Sequence, residues 1–422
     1  MLFKKKLLVF PTSRSIRNFI STQKSSNTLL PFTLTIDELF KKSINLNNMK
    51  YCEEEQRVLF LSEAIKNTNI QKLGISDNFT KFLKQSDYIY RFFLELASEK
   101  VEIKDIQNVD TYDFYLEHLQ ILETIKTNYI NILEKNSYVD RINLDNHYKI
   151  NENFLKKFEE IELYFEGYFT KVEFEIVEKI SKFINVKINF YSNTYNQRSL
   201  EVFKNMNIDL KIDFNYKIDL TNKLVLQEEK NKKNLQSLEI KGFSSRLNQI
   251  AYIKDSIVKS VQKGVNPSRI ALVLPDETFA SYIQLFDTEK YFNYAMGKTI
   301  KNTNLYQVAY AIYSYLSEDD IKHISNLDFL KLDKNFIDKN IKSIWNKKAS
   351  KENFEFISDF IKSKDDSAEL LEKYDELLYK LNIIVFSNDN VILLKDVYKI
   401  FLQKLVKLTL DDINSGKVTV IG

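Results

Sequence analysis

The sequence runs to 422 residues, with 61 basic against 58 acidic side chains and a net charge of +3, enough for about two to four domains, each with its own core. The near-balance excludes a polybasic nucleic-acid tail, although a local basic groove fits inside a near-neutral total. A single cysteine, Cys52, excludes an internal disulfide or a cysteine metal site, and 7 glycines and 4 prolines against 31 phenylalanines and 24 tyrosines predict a helix-dominated chain.

In chain order, residues 1–10 are basic and then apolar, like the start of a secretory signal, but the apolar run stops at Pro11 and is too short for one. No later stretch is long and uncharged enough to span a bilayer, which implies no membrane association and a soluble, cytoplasmic protein. Residues 7–10 read as a buried strand, Pro11-Thr12-Ser13 as a turn, and Ile16, Phe19 and Ile20 as one face of a short helix. A second strand is predicted near residues 29–36, with Asp37 placed to begin the next helix. From 54 to 136, apolar residues recur at helical spacing with no strand signal. A strand over 161–165 ends at Glu166-Gly167, a helix carries Phe174, Ile176, Val177 and Ile180, and residues 184–191 alternate as another strand. The charged stretch 227–234 reads as a linker.

Beyond the linker comes a predicted strand over 237–242, then a helix with Ile250, Ile253, Ile257, Val258 and Val261 that Gly264 stops. A continuous apolar strand over 269–274 follows. Strand, helix and strand in that order imply parallel pairing through a right-handed crossover. Residues 307–381 are mostly helical. The apolar strand 417–422 leads nowhere, which suggests a fragment of a longer protein. The fold class is therefore α/β, with two parallel-sheet cores, each interrupted by a mostly helical insertion. The boundaries fall at 1–55 plus 150–232 for the first core and 56–149 for its insertion. The second core takes 235–305 plus 390–422, and its insertion 306–389.

This architecture invites nucleotide binding. A phosphate loop needs glycines so that amides can wrap the phosphates, a lysine for the β and γ groups, and a serine or threonine for magnesium. Pro11-Thr12-Ser13-Arg14 stands at the right strand–turn–helix position but has neither glycine nor lysine, so Thr12, Ser13 and Arg14 form a degenerate version. Helix capping by Thr12 or Ser13 is the simpler account. Gly297-Lys298-Thr299 imitates the tail of such a loop, but the upstream glycine falls at Phe292 and no strand signal feeds the turn. Glu166, a lone carboxylate at a strand end, is a degenerate counterpart of the acidic residue that holds magnesium through water.

Pro275-Asp276-Glu277 echoes half of a metal-nuclease motif, but no carboxylate stands two residues before a lysine in Asp287-Thr288-Glu289-Lys290. Asp276 fits a capping role better. Trp345 lies in a lysine-rich stretch and could stack on a base, while packing under a helix is the plainer expectation. Cys52 precedes Glu53-Glu54-Glu55, whose charges disfavour a thiolate. His118, His147 and His323 lack any ligand spacing.

Leu7-Leu8-Val9-Phe10-Pro11-Thr12-Ser13-Arg14, followed by Leu34-Thr35-Ile36-Asp37-Glu38-Leu39, resembles the start of AddB subunits of the epsilonproteobacterial kind. Phe165-Glu166-Gly167-Tyr168-Phe169-Thr170-Lys171-Val172-Glu173 is similar to the turn where active helicases keep their acidic motif. Ile270-Ala271-Leu272-Val273-Leu274-Pro275-Asp276, Tyr294-Ala295-Met296-Gly297-Lys298-Thr299 with Thr303, and residues 417–422 resemble successive segments of the second helicase core. The resemblance spans nearly the whole chain and rests on order and spacing. It implies two RecA-like cores of the superfamily 1 helicase type, pairing with an AddA-like motor subunit, and DNA handling during double-strand break processing. It also implies a PD-(D/E)XK nuclease domain beyond Gly422 and no catalytic residue or cofactor in the chain shown. The missing glycine and lysine argue against ATP binding. Two other readings stand beside it: a degenerate nucleotide-using enzyme built on Arg14 and Glu166, and a helical protein-interaction module unrelated to DNA.

Overall fold

Burial separates the strands by position. In β1 (Lys6–Phe10) Leu7, Leu8, Val9 and Phe10 are all buried, the mark of a strand covered on both faces. The computed structural model describes residues 5–23, 29–107, 115–231, 238–317, 321–386, 392–410 and 417–421. The chain divides into two units, Met1–Gln236 and Ser237–Gly422.

In the first unit β1 is joined by β2 (Phe32–Thr35), β3 (Glu160–Phe165), β4 (Asn185–Tyr191), β5 (Phe214–Asp219) and β6 (Leu224–Lys230), in the order β6-β5-β4-β3-β1-β2. β2, β1, β3 and β4 run parallel, β5 pairs antiparallel with β4, and β6 pairs antiparallel with β5. The unit is thus α/β with a mixed sheet. Helix α1 (Ser13–Thr22) links β1 to β2, and α2 (Ile36–Ser43) follows β2. Thr35 and Glu38 form a reciprocal capping box there, so the helix starts one residue before Asp37.

Helices α3 (Glu54–Ala64), α4 (Phe79–Ser98) and α5 (Leu116–Lys135) stand between α2 and β3 and have their own core of Cys52, Leu61, Phe82, Phe93, Tyr129 and Leu133. Chain entry and exit are laced together at the root. Ile44–Leu46 pairs with Tyr148–Ile150, and Lys50–Tyr51 with Tyr138–Val139. After β3, α6 (Lys171–Ser181) and α7 (Gln197–Asn205) cover one sheet face, packing Ile176, Val177, Ile180 and Phe203 on Ile161, Leu163, Val186, Ile188 and Ile218.

The stretch 227–234, read above as a linker, is corrected by β6, which holds Gln227 to Lys230 antiparallel to β5. All seven β6 residues are exposed. An edge strand is held by its ladder of backbone hydrogen bonds and keeps charges to deter further pairing, so the short apolar run Leu224, Val225 and Leu226 gives way to the polar and charged Gln227 to Lys230. β5 escaped the sequence reading as well. Residues 232–234 lie outside the described residues.

The second unit has a three-stranded parallel sheet of β7 (Ala271–Val273), β8 (Phe292–Tyr294) and β9 (Val418–Ile421), in the order β7-β9-β8. Helices α8 (Arg246–Gln262) and α9 (Phe279–Phe286) cover it with Ile250, Ala280 and Ile283. The strand expected over 237–242 is a correction: the described residues 238–242 belong to no strand or helix. β7 also departs from expectation, because Ala271 and Val273 are exposed. Helices α10 (Asn304–Ser317), α11 (Lys351–Lys362), α12 (Ala368–Phe386) and α13 (Leu394–Leu405), with the helix Ile321–Phe329 and short helical turns from Lys334 to Trp345, make the helical part of the unit.

Gly297 has a structural purpose. Its φ is +80°, and a Cβ there would stand 2.8 Å from the Leu410 carbonyl oxygen, on the strand Thr409–Leu410 that pairs with Lys298–Thr299. Contrary to the sequence reading, β8 does lead into this turn, but the glycine serves a backbone crossing.

Candidate functional site

The chain leaves β1 through α1 to β2 on one side, then returns as β3 on the other. The carboxyl ends of β1 and β3 therefore flank a topological switch point, where open α/β sheets form ligand crevices. Both sequence-singled positions stand at these ends: Thr12, Ser13 and Arg14 directly after β1, Glu166 directly after β3.

The first turn is committed to capping. Thr12 is extended (φ −142°, ψ 158°), and its Oγ1 accepts the Ser15 backbone N–H at 3.1 Å. That uses a donor an incoming phosphate would need. Thr12 and Ser13 are exposed and Arg14 is half-buried.

Glu166 is exposed, and Gly167 takes a φ of +94° with open space around it, so the glycine serves the turn itself. The following residues anchor to the covered face. Phe169 stacks on Phe165 at 3.9 Å, the Gly167 carbonyl accepts from Ser199 Oγ at 2.8 Å, and Tyr168 donates to Glu99 under the Arg198 guanidinium.

Glu166 also borders a groove of about 290 Å³ on the other sheet face, with Tyr164, Asn189, Tyr191, Asn215 and Lys217. Strict alternation in β4, with Val186, Ile188 and Phe190 buried and the residues between them half-buried, shows why this face is open. Beneath the groove lies a buried carboxylate that the sequence reading missed. Glu162 Oε1 accepts from Lys217 Nζ at 2.8 Å and Asn189 Nδ2 at 2.7 Å, and Lys6 ion-pairs with Oε2. Burial pushes this carboxyl up, but the bonds from Lys217, Lys6 and Asn189 outweigh it and hold it at about 2, against an ordinary 4.5. The only sequence signal was the alternation of Glu160, Glu162 and Tyr164 against apolar neighbours.

Because the folded value is the lower one, the stabilisation is complete above pH 4.5 and is lost as pH falls towards 2. Glu162→Gln should remove about 2 kcal/mol of stability at neutral pH and flatten the acid limb in that window. Urea midpoints of both proteins across the acid range test this, and parallel pH profiles would refute the assignment.

A second cavity, of about 500 Å³, is lined by residues of α2, α4, α6 and the root of the helical insertion, among them the apolar Phe40, Leu94, Leu144 and Ile176 and the charged Lys41, Arg141 and Glu173. Close by, Asp140 is fully buried and receives Arg57 Nε at 2.9 Å, Tyr90 OH at 2.9 Å and Tyr129 OH at 2.6 Å. Cys52 lies against it, its Sγ 3.9 Å from the Tyr129 hydroxyl. Burial, then the Asp140 charge, pushes its thiol up to about 12. Native Cys52 should resist iodoacetamide and react only at the rate of unfolding, which mass-resolved labelling over urea concentration measures. Rapid labelling of the native chain would contradict this burial.

Trp345 is 2% exposed, wedged against Tyr398 at 5.1 Å and Tyr313 at 6.2 Å, and does not face solvent. Asp276 Oδ1 accepts from the Thr278 N–H and hydroxyl at 3.0 and 2.7 Å, a local turn bond. His147 stands 3.6 Å from Glu134 and His118 lies against Tyr115; the His323 side chain lies outside the described residues. Among the described residues no group of His, Cys, Asp and Glu is placed to hold a metal ion, and no helix is long and apolar enough to cross a membrane. No family model matches this chain, and no curated protein matches it.

Proposed function

We propose that this chain is a non-catalytic, helicase-like scaffold of the AddB type, which holds DNA and an AddA-like motor subunit during double-strand break processing. In this reading the two α/β units are RecA-like cores, the nuclease lies in a segment beyond Gly422, and the protein works in the cytoplasm. The observation that carries it is the turn between β1 and α1. It occupies the switch-point position of a phosphate loop, yet Thr12 caps the helix there and no glycine or lysine is present.

The test is paired measurement of ATP turnover and of single-stranded oligonucleotide binding over a salt series. The scaffold reading expects no turnover above background and binding that weakens steadily with salt. Turnover by the chain alone, or absence of DNA binding at low salt, would sink it. A second reading, residual nucleotide binding, has one observation in its favour: Arg14 and Glu166 follow the ends of neighbouring strands. Nucleotide binding abolished by Arg14→Ala would favour it.

A further inference from the structure

We propose that residues 238–242 are a fourth strand of the second sheet, held off the open edge of β7 in this structure. The edge is defined by hydrogen bonds. The Leu274 N–H donates to Ile421 O at 2.7 Å and Ile270 O accepts from the Thr419 N–H at 3.2 Å. Residues 270, 272 and 274 therefore turn their backbone groups to β9, and Ala271 and Val273 turn theirs outward. Both side chains are exposed as well, Val273 by 64%. An apolar parallel strand with a bare edge is an invitation to pairing.

Topology names the occupant. Helices α8 and α9 lie on the same sheet face. The Arg246 guanidinium stands 4.9 Å from the Tyr282 ring centroid, Lys254 Nζ donates to Phe286 O at 2.8 Å, and Ile250 and Ile283 share a core with Phe292, Tyr294, Val418 and Val420. From β7 the chain passes through α9 to β8, on the far side of β9. Right-handed crossovers with helices on one face advance in one direction. The segment leading into α8 accordingly belongs on the other side of β7, at its open edge. Residues 238–242, Leu-Glu-Ile-Lys-Gly, alternate as a strand of that kind would.

Their present seat is a polar one. Tyr252 OH donates to Glu239 Oε2 at 3.0 Å, Lys241 Nζ sits 4.2 Å over the same ring, and Phe243 lies 5.3 Å from it. Tyr252 is two residues on from buried Ile250, so this seat is on the opposite face of α8. Leu238 and Ile240 are left 75% and 86% exposed. Residues 238–242 are all exposed there, whereas the β7 edge offers both backbone groups and an apolar neighbour strand.

Residue-resolved hydrogen exchange on the full chain decides the matter. The Ala271 and Val273 amides should exchange at least ~100-fold more slowly than unstructured ones. Ile240→Pro/Lys241→Pro, which removes a pairing amide whichever way the segment faces, should abolish that protection while Leu272 and Leu274 keep theirs. Free exchange of Ala271 and Val273 in the unsubstituted chain overturns the proposal, and this arm needs no variant to fold. Protection that survives the double proline also overturns it, since another strand, such as that of a second copy, would then hold the edge.

Discussion

Asp140→Ala should unfold the helical insertion at much lower denaturant, at a cost of about 3–5 kcal/mol. Asp140 is fully buried and joins three helices. Arg57 from α3, Tyr90 from α4, Tyr129 from α5 and the Arg141 backbone N–H all donate to its two oxygens. Removing the carboxylate strands a guanidinium that is only 17% exposed and two hydroxyls that burial keeps from water. An uncompensated buried charge costs more than the pair contributes, so Arg57→Ala/Asp140→Ala should be less damaged than the sum of its singles. The insertion's root depends on the same clasp, because the Cys52 N–H donates to Val139 O at 2.7 Å beside it. Cys52 exposure thus gives a second readout, and iodoacetamide labelling of Asp140→Ala should accelerate with the loss of fold. A denaturation midpoint within error of the unsubstituted protein would show that the clasp is dispensable.

The same residues explain what was legible in the sequence. Strands such as β1 and β4 announce themselves because burial on both faces or one leaves a continuous or an alternating apolar pattern. Helices announce themselves by the spacing of apolar residues, whereas the capping boxes at Thr35 and Thr170 that set their starts went unread. β6 was illegible because its ladder of backbone hydrogen bonds leaves no trace in the side chains, and Gln227, Glu228, Glu229 and Lys230 imitate a linker. Residues 238–242 failed the opposite way: a sound strand pattern sits unpaired. At the candidate site, Thr12 to Arg14 and Glu166 were singled out because strand ends are predictable positions. Asp140 and Glu162 were not, because their partners are distant in sequence: Asp140 is 83 residues from Arg57, and Glu162 is 55 from Lys217. Neither spacing nor composition brings such donors together; only the fold does.

Trp345→Ala should cost about 3–5 kcal/mol and leave DNA binding per folded molecule unchanged. The indole is packed on Tyr398 of α13, itself fully buried with its hydroxyl donating to the Ala309 carbonyl of α10 at 2.8 Å. Deleting it opens a cavity beside Tyr313 and Tyr398, and Tyr398 is held in place by its own hydrogen bond. Trp345→Phe keeps most of the volume and should lose a smaller share. As the chain's one tryptophan, Trp345 reports its own release by a red shift of emission on unfolding, and circular dichroism follows the variants. A side chain used for stacking would behave in the reverse way, with stability almost intact and affinity for single strands reduced by the roughly 1–3 kcal/mol of a lost base contact. The two losses fall on different axes, so one variant measured both ways separates a core tryptophan from a binding one.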